Sequence, residues 1–457
     1  MSSSHTHGGN PPLTPLAGAS NSKPKVGDGG LVGSAADGHG SVQPGEIAIG
    51  VVIGRASEYF DFFVYAIASV LVFPSVFFPF EGRLEGTLHA FAIFSLAFLA
   101  RPFGTIGFMA IQRHLGREAK LTIALFVLGV STAGIAFLPS YANLGVAAIV
   151  LLSLLRVGQG VALGGSWDGL PSLLALNAPL GKRGWYAMLG QLGAPLGFII
   201  AASLFSYLTA NLSSADFLDW GWRYPFYVAF AINVVALFAR LRLVATKEYA
   251  RLLDERELEP TNSLDMVRSQ WRILVTGALA ALASYALFHI VTVFPLSWIR
   301  LYSQRSVSEF LVIQIIGAVL AAIGIVASGW IADRAGRRTT LAALAVMIAV
   351  FSGFVPTLMG GGDTGQNVFI LLGFVLLGLS YGQAAGAVTS NFASKYRYTG
   401  AALTSDLAWL VGAGFAPLVA LGLSANFGLA YVSVYLLSGA AATLAALTLN
   451  RALEIRD

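Results

Sequence analysis

Three ionisable residues, Arg55, Glu58 and Asp61, interrupt the first long apolar segment of the chain. A charged group at membrane depth costs several kcal/mol, so a chain that retains three of them there is expected to use them. Spacings of three and four residues place Arg55, Glu58 and Tyr65 on one face of an α-helix, together with either Asp61 or Phe62. The chemistry available to this face is proton exchange at a carboxylate and ion pairing with the arginine. Such a face would have to look into a helix bundle or a water-filled cavity.

The composition defines the environment of this face. Of the 457 residues, 56% are hydrophobic and 11% are charged, whereas soluble chains contain about 25% charged residues. The chain is therefore expected to be an integral membrane protein that contacts the lipid bilayer. Apolar runs of spanning length, about 17–25 residues, begin near Ile47, Leu88, Leu121, Gly145, Trp185, Pro225, Ile273, Phe310, Leu341, Val368, Ala401 and Leu429. Their Leu, Ala and Gly content favours helices over barrel strands, so the predicted fold class is all-α with twelve transmembrane helices.

The distribution of Lys and Arg predicts the orientation of these spans, because positive charges close to a helix end resist translocation. With a cytoplasmic N-terminus, most of the 28 Lys and Arg residues fall on the cytoplasmic side. Both termini are then cytoplasmic, and the chain is a multi-pass protein of the plasma membrane, which is the inner membrane in a Gram-negative bacterium. The net charge of +5 thus reflects topology, and no nucleic-acid partner is expected.

Two stretches outside the spans divide the chain into regions. Residues 1–44 are rich in Gly, Ser and Pro and lack the apolar core of a signal peptide, which predicts a disordered cytoplasmic tail. Residues 244–270 carry mixed charge at helical spacing, which predicts a cytoplasmic linker. The predicted six-helix halves are therefore residues 45–243 and 271–450, followed by a short cytoplasmic tail at 451–457.

The loops that follow spans two and eight have similar sequences, with Gly116 and Gly336 at corresponding positions about half the chain apart. A carboxylate in such a loop can accept hydrogen bonds from a helix N-terminus, and its arginines can pair with carboxylates across the boundary between the halves. We therefore expect a cytoplasmic gate at these loops. Its candidate residues are Arg113, Arg117, Asp333, Arg334, Arg337 and Arg338.

Five further segments complete a pattern that resembles a known family. They are Glu-Tyr-Phe-Asp-Phe-Phe at 58–63, Phe-Leu-Ala-Arg-Pro-Phe-Gly at 98–104, the segment 156–167 that begins Arg-Val-Gly-Gln-Gly, Trp-Gly-Trp-Arg-Tyr-Pro-Phe at 220–226, and Arg-Tyr-Thr-Gly at 397–400. Over roughly residues 46–450 the chain resembles the major facilitator superfamily, and more closely its metabolite:proton symporter branch of shikimate, α-ketoglutarate, citrate and proline/betaine permeases. The resemblance implies two pseudo-symmetric six-helix halves and secondary transport by alternating access.

The chain departs from the family pattern at the cytoplasmic gate. In the loop between spans two and three the family's carboxylate is missing, and Gln112 or Arg113 takes its place; in span four, Ser166 stands where the family commonly has Glu. Asp168 and Asp406 could compensate, because both are expected near the cytoplasmic ends of their spans. We therefore predict a charge-reversed latch in which Arg113 or Arg117 pairs with one of these two acids.

The proton carrier is expected in span one. Glu58 and Asp61 lie roughly 15–20 Å from the start of that span, close to the midplane where transporters place their sites. A carboxylate there could be protonated near neutral pH when its cavity is closed and dry. Arg55 lies one turn from Glu58 and could hold that acid ionised, so Asp61 is favoured over Glu58. The alternative is a charge cluster that only sets helix packing.

The substrate is expected to be a small carboxylate or zwitterion. Arg156 resembles the superfamily's span-four arginine, which lies in the central cavity, and Gln159 follows one turn later. A guanidinium can hold a carboxylate through two hydrogen bonds, although Arg156 could instead pair with an acid of span one. The other candidate substrate-binding residues are polar side chains of spans one, seven, eight and ten, namely Tyr65, Tyr285, His289, Gln314, Tyr381 and Gln383. His289 could serve in coupling or be a packed, hydrogen-bonded residue.

The interpretation favoured by the sequence is proton-coupled import of a small organic acid or zwitterionic metabolite by a monomer that uses protons and no cofactor. The alternative is a proton-driven exporter, indicated by the Gly-Gln-Leu-Gly-Ala-Pro-Leu-Gly segment at 190–197. A non-transporting sensor is disfavoured because there is no soluble output domain. An enzyme is disfavoured because no metal cluster, catalytic Ser-His-Asp arrangement or phosphate-binding Gly loop is present.

Overall fold

The computed structural model describes residues 44–166, 178–179, 181–244, 259–384 and 392–449, and every regular element within these ranges is helical. Twelve long helical segments occur in them and are numbered α1–α12. They are α1 (Pro44–Leu71), α2 and α3 (together Arg83–Phe137), α4 (Val146–Gly165), α5 (Arg183–Leu189, Gly190–Leu192 and Gly193–Asn211), α6 (Tyr224–Val244), α7 (Ser263–Ala280, Leu282–Thr292 and Phe294–Tyr302), α8 (Val307–Ala335), α9 (Arg337–Ser352), α10 (Gly362–Tyr381), α11 (Arg397–Trp409, Leu410–Gly414 and Ala416–Phe427) and α12 (Ala430–Leu449). Each of the twelve predicted spans corresponds to one of them.

Within the described residues, eight helical stretches are long and apolar enough to cross a membrane by length and composition alone. One of them, Arg83–Phe137, is 55 residues long and contains a non-helical residue at Gly116, so it holds two spans. The predicted all-α fold of twelve helices in two halves is confirmed.

The turns at Gly116 and Gly336 support the predicted correspondence between the two halves. Their φ angles are 88° and 80°, in the left-handed region that a residue with a Cβ atom rarely adopts. Each glycine separates two consecutive helices, α2 from α3 and α8 from α9. We refer to the end of the bundle that carries these two turns as the basic end.

Equivalent helix pairs of the two halves pack through small residues. A Cβ atom at Gly160 of α4 would lie 2.3 Å from the carbonyl oxygen of Ala97 in α2, and one at Gly378 of α10 would lie 2.2 Å from that of Ala321 in α8. A larger side chain would separate the backbones, since real Cβ atoms do not approach this closely. Close contact between α2 and α4, and between α8 and α10, is therefore encoded by glycine at the contact point.

Helix α7 is interrupted at Val293, between the segments Leu282–Thr292 and Phe294–Tyr302, and Pro295 follows. Proline has no N–H group, so the carbonyl oxygen of Val291 loses its usual donor four residues later. Gln314 of α8 replaces that donor, because its Nε2 lies 3.2 Å from the Val291 oxygen and 3.0 Å from the Thr292 oxygen. The break is thus stabilised by a side chain of the neighbouring helix, as a membrane interior requires.

Helix α11 contains the π-helical turn Leu410–Gly414, with Pro417 just beyond it. The carbonyl oxygen of Gly414 accepts a hydrogen bond from Ser95 Oγ of α2 at 2.8 Å. Discontinuous helices of this kind expose backbone groups near binding sites in transporters. The irregular turn of α7 follows His289, and that of α11 follows Trp409. Both residues belong to the aromatic cluster described below.

Candidate functional site

Glu58 is bound by two arginines. Its Oε2 lies 2.7 Å from Arg55 Nη1, and its Oε1 lies 2.7 Å from Arg240 Nη2 of α6. The predicted pairing of Arg55 with Glu58 is therefore present. The sequence did not predict Arg240 as a partner of Glu58. It lies near the end of a span, where it resembles the many other basic residues of the predicted cytoplasmic side. Protonation of Glu58 would remove the negative charge that it shares with these two guanidinium groups.

Asp61 lies inside the N-terminal half and is 2% exposed. Its Oδ1 accepts a hydrogen bond from Thr132 Oγ1 of α3 at 2.7 Å, and its Oδ2 accepts one from Gln159 Nε2 of α4 at 3.3 Å. Phe62, the next residue, instead packs against rings of α2, α7 and α11. Beyond Glu58, the two neighbouring residues of α1 therefore point in different directions. Asp61 contacts helices of its own half, whereas Phe62 contacts helices of the second half.

Arg156 is buried, with an exposed fraction of 1%. Its Nε donates to the carbonyl oxygen of Phe94 at 3.2 Å, and its Nη1 donates to Gln159 Oε1 at 3.0 Å. The guanidinium carbon lies 3.9 Å from the centre of the Tyr65 ring. In the part of the chain that the structure describes, no carboxylate lies within 4.0 Å of Arg156, and its Nη2 and the Tyr65 hydroxyl have no hydrogen-bond partner.

Gln159 connects the arginine to the acid. Its amide oxygen accepts from Arg156 while its amide nitrogen donates to Asp61 and, at 3.0 Å, to Thr132. The oppositely charged groups of Arg156 and Asp61 are thus separated by one amide. A change in charge at either end is transmitted to the other through this amide, in surroundings of low dielectric.

An aromatic cluster lies where the two halves meet, with Trp409 of α11 near its centre. The Trp409 ring centroid is 5.0–6.2 Å from the centroids of seven other rings. These rings belong to Tyr59, Phe62, Phe98, Tyr285, Phe288, His289 and Tyr381. The cluster includes three predicted substrate-binding residues, Tyr285, His289 and Tyr381, but Trp409 and Phe288 escaped sequence reasoning because a buried aromatic residue in a span is common.

Within the cluster, Tyr381 bonds the hydroxyl of Tyr59, which joins α10 to α1. Two other predicted substrate-binding residues, Gln314 and Gln383, make their hydrogen bonds outside the cluster. The Gln314 amide nitrogen is used by the break in α7, whereas its Oε1 has no hydrogen-bond partner in the described residues. Gln383 lies at the basic end, where Nε2 donates to the Gly184 carbonyl oxygen at 3.2 Å and Oε1 accepts from Arg337 at 3.3 Å. Gln383 follows the end of α10 and therefore bonds residues of the gate in this structure, and its role in binding substrate stays a prediction.

A cavity lies between the aromatic cluster and the basic end. It is lined by side chains of α1, α2, α4 and α11, namely Arg55, Glu58, Tyr59, Phe62, Ala97, Phe98, Arg101, Leu163 and Trp409. Its wall thus combines aromatic rings with two arginines and one acid. This mixture of a mostly apolar wall and a few charged groups is typical of small-molecule sites.

The predicted gate loop after α8 binds the N-terminus of α5. Asp333 accepts hydrogen bonds from the backbone N–H groups of Gly184 at 2.6 Å and Trp185 at 3.2 Å. These two residues are in the first turn of α5, where unsatisfied N–H groups favour a carboxylate. Arg337 contacts the Arg183 carbonyl oxygen at 3.4 Å. The expected acceptance of a helix N-terminus by the loop carboxylate is confirmed.

The other gate residues of the second half do not all face this seam. The Arg334 guanidinium stacks on the ring of Trp330, one turn earlier in α8, with 3.5 Å between the guanidinium carbon and the ring centre. Arg338 is half-buried at the start of α9. Arg334 is exposed, and its place in the gate stays a prediction.

In the first half, Gln112 and Arg113 lie where the loop after α8 has Asp333, and counting back three residues from each turn glycine places Arg113 opposite Asp333. Its Oε1 accepts hydrogen bonds from Lys120 Nζ and from the Tyr398 hydroxyl of α11, each at 3.1 Å. Arg113 is exposed and donates to the Thr261 carbonyl oxygen at 3.0 Å. Of the two candidates for the missing carboxylate's place, Gln112 is the one that contacts α11, as a neutral acceptor.

The predicted pairing of Asp406 with Arg113 or Arg117 is replaced by a salt bridge to Arg101. Arg101 Nε lies 2.7 Å from Asp406 Oδ1, and Thr105 Oγ1 donates to Asp406 Oδ2 at 2.5 Å. Asp406 is 3% exposed and faces the part of α2 near Arg101, about 18 Å along that helix from Arg113. Arg117 is half-buried near the Gly116 turn, and Asp168 lies outside the described residues.

Removing the charge of Asp406 is expected to loosen the contact between α2 and α11. Asp406→Asn leaves Arg101, whose side chain is 12% exposed, without this counter-charge, and removing one partner of a buried pair costs about 3–5 kcal/mol. The chain contains no cysteine, so a single cysteine at Ala97, beside the cavity, can be labelled without background. A thiol reagent added at the basic end should label this cysteine faster in Asp406→Asn than in the protein with Asp406. A double variant, Arg101→Met with Asp406→Leu, should return toward the unmodified rate, and unchanged labelling in Asp406→Asn would refute the latch.

A bundle of twelve helices in two matched halves, with a charged and aromatic site between the halves, is the architecture of a secondary transporter. The sequence profile of the Major Facilitator Superfamily matches residues 143–405. The chain belongs to this superfamily, and it is not an enzyme.

Curated relatives of similar length support the same assignment. A putative metabolite transport protein of Haemophilus influenzae is 36% identical over 416 residues, covering 88% of this chain and 93% of the relative. The inner membrane metabolite transport protein YhjE of Escherichia coli is 34% identical, with coverage of 89% and 93%. The shikimate transporter of Escherichia coli is 30% identical, with coverage of 86% and 91%.

Solved structures resemble the fold. The partially occluded, inward-open xylose transporter XylE of Escherichia coli matches with a TM-score of 0.66 and 15% identity, covering 91% of this chain and all of that one, 100%. At this identity the match concerns architecture alone. The protein is thus a membrane transporter of the Major Facilitator Superfamily, and one of its relatives, 26% identical over 379 residues, is named a citrate-proton symporter.

Proposed function

We propose that the protein imports a small organic acid together with one or more protons by alternating access. The observation that carries the proposal is the state of Arg156, which is buried, has no carboxylate partner in the described residues and retains an unbonded Nη2. A guanidinium in such a site favours an incoming carboxylate, because the anion supplies both the counter-charge and the missing acceptors.

Charge balance links the substrate to the proton. Arg156 and Asp61, joined through Gln159, form a buried group with no net charge when the acid is ionised. A bound monocarboxylate adds one negative charge, which is costly in surroundings of low dielectric. One proton on Asp61 restores neutrality, so the loaded site favours substrate and proton together. This argument supports Asp61 as the proton carrier.

The same charge-balance argument assigns Glu58 a different role. Its two oxygens are each 2.7 Å from an arginine, so it already neutralises part of the charge of Arg55 and Arg240. A proton on Glu58 would increase the buried net charge instead of reducing it. We therefore assign Glu58 as the fixed counter-ion that holds α1 against α6, with Arg55 completing the cluster.

The proposed orientation places the basic end in the cytoplasm, with both chain termini on that side of the plasma membrane. The seam contacts at this end, Asp333 with α5 and Gln112 with Tyr398, would separate in the inward-facing state. The monomer contains both halves of the site, so no second copy is needed. Relatives named shikimate transporter, citrate-proton symporter and proline/betaine transporter are consistent with an organic acid or zwitterion as the substrate.

The test is uptake into proteoliposomes under an imposed pH gradient. Labelled di- and tricarboxylates, cyclic and aromatic acids, and betaines are offered with the external side acidic. At least one acid is expected to accumulate above equilibrium, and a protonophore should reduce accumulation to the equilibrium level. Uptake that ignores the pH gradient would contradict symport.

Export is the second candidate, because the Gly- and Pro-containing segment 190–197 of α5 resembles in part a pattern of proton-driven antiporters. A Cβ atom at Gly193 would lie 2.7 Å from the backbone nitrogen of Ala56, and one at Gly197 would lie 2.6 Å from that of Phe60. Close packing of α5 on α1 thus accounts for these glycines without implying a direction. Proton-driven extrusion from the same vesicles would favour the exporter.

A further inference from the structure

Three buried polar atoms without hydrogen-bond partners in the described residues lie around one pair of rings. They are Arg156 Nη2 of α4, the Tyr65 hydroxyl of α1 and His289 Nε2 of α7. The Phe62 ring centre is 5.8 Å from the Arg156 guanidinium carbon and 5.2 Å from the His289 ring centre. The Phe94 ring centre is 4.9 Å and 5.4 Å from the same two groups. Arg156 and His289, from opposite halves, therefore pack against the same two rings.

Buried polar atoms without partners are rare in folded proteins and call for an explanation. Leaving one unbonded costs stability, since the atom loses its hydrogen bonds to water and gains none. The three atoms come from three helices and both halves, so they are not a local defect of one turn. A polar ligand that fits between the halves would satisfy them together.

The hydrogen bonds of Thr292 decide which hydrogen-bonding role His289 offers. The Thr292 hydroxyl donates its hydrogen to the Phe288 carbonyl oxygen at 2.8 Å. It lies 3.3 Å from His289 Nδ1 and must act there as the acceptor, because its one hydrogen is in use. The neutral imidazole therefore carries its hydrogen on Nδ1. Nε2 is then an unprotonated acceptor that needs an O–H or N–H donor.

We propose that the central site takes a hydroxylated carboxylate, with the carboxylate on Arg156 and the hydroxyl donating to His289 Nε2. The inference rests on the proposed function and specifies its substrate class. A substrate of this kind bonds α4 of the first half and α7 of the second half at once. It would therefore stabilise the state in which the halves are closed around it.

Other acids of the same carbon skeleton fit less well for a definite reason. An analogue without the hydroxyl leaves His289 Nε2 unbonded, so it should bind about 10- to 100-fold more weakly than the hydroxy acid. A 2-oxo acid brings a second acceptor against Nε2, so it should bind no better than the unsubstituted acid. A betaine has no O–H donor, and its quaternary ammonium group would have to lie near the positive charge of Arg156.

The experiment compares matched acids in proteoliposomes that contain the whole protein. The sets are 2-hydroxyglutarate, 2-oxoglutarate and glutarate; lactate, pyruvate and propionate; and mandelate, phenylglyoxylate and phenylacetate, with glycine betaine added separately. In at least one set the hydroxy acid should be taken up at least about 10-fold better than both analogues. Equal uptake within every set, or preference for an oxo acid or for betaine, would overturn the inference while leaving transport intact. If no compound responds to the pH gradient, the proposed function itself fails.

Two variants of His289 separate recognition from packing. His289→Phe keeps a ring among the aromatic residues but removes the acceptor, so it should reduce the ratio of hydroxy-acid uptake to analogue uptake to about one, whatever happens to the absolute rates. His289→Gln offers a carbonyl oxygen as an acceptor and should retain part of the preference. Both variants are first checked for thermal unfolding in detergent. A preference that survives unchanged in His289→Phe would overturn the assignment even if both proteins fold.

Discussion

Replacing Arg156 with lysine is expected to lower the kcat/KM for uptake at least about 100-fold, which corresponds to about 3 kcal/mol. The guanidinium bonds the Phe94 carbonyl oxygen and the Gln159 amide while one further nitrogen remains for a substrate. It also lies flat against the Tyr65 ring. An ammonium group is smaller and more strongly hydrated, and it cannot bond Gln159, the backbone and a carboxylate in this geometry. Arg156→Lys therefore keeps the positive charge but loses the set of hydrogen bonds that the guanidinium makes.

A matched control is available in the same chain. Arg223 also bonds backbone oxygens, those of Ala136 at 2.6 Å and Leu138 at 2.9 Å, but it lies at the start of α6, away from the central site. Arg223→Lys should therefore change kcat/KM only a few-fold. Initial rates of uptake over a range of substrate concentrations measure both variants. Uptake by Arg156→Lys within about threefold of the unmodified protein would contradict a direct role in anion binding.

Replacing Asp61 with asparagine is expected to abolish accumulation driven by a pH gradient while preserving exchange of substrate across the membrane. Asparagine keeps an oxygen that can accept from Thr132 or Gln159, so the local hydrogen bonds can largely be retained. It cannot bind or release a proton. The site therefore behaves as if it were permanently protonated, and the carrier can equilibrate substrate but cannot couple it to the gradient.

Two assays distinguish this outcome from simple loss of function. Counterflow, in which unlabelled internal substrate drives entry of labelled substrate, should continue in Asp61→Asn, whereas accumulation with an acidic exterior should disappear. Glu58→Gln provides the comparison, because it leaves Arg55 and Arg240 without their shared counter-charge. That variant should lose about 3–5 kcal/mol of stability and unfold at a lower temperature. If Asp61→Asn kept full coupling while a folded Glu58→Gln lost it, the assignment of the two acids would be reversed.

Local patterns in the sequence predicted features that depend on neighbours along the chain. Hydrophobic runs of spanning length located all twelve helices, since a helix must satisfy its own backbone in lipid. The pairing of Arg55 with Glu58 followed from a spacing of three residues. The acceptance of the α5 N-terminus by Asp333 followed from a carboxylate in a repeated loop. In each case the chemistry was set within a turn or two of helix, or by the repeat itself.

The contacts that differ from those predicted involve partners from distant helices. Asp406 was expected to meet an arginine of the loop between α2 and α3, but the approach of α11 to α2 brings it to Arg101 instead. Gln383 was expected in the central site, but the end of α10 places it beside Arg337. Depth along a span can be counted from the sequence, but the rotation and crossing of two helices depend on the packing of every side chain between them.

The three charged residues of α1 show the same difference between what local sequence predicts and what helix packing decides. The sequence by itself determined that Arg55, Glu58 and Asp61 lie in a membrane helix, and that two of them are one turn apart. Only the tertiary structure decided that Glu58 takes a second arginine 182 residues away and that Asp61 meets Gln159, 98 residues away. The reason is physical: periodicity fixes which residues share a face of one helix, whereas the charge of a buried group is balanced by whichever helices the whole bundle packs against it.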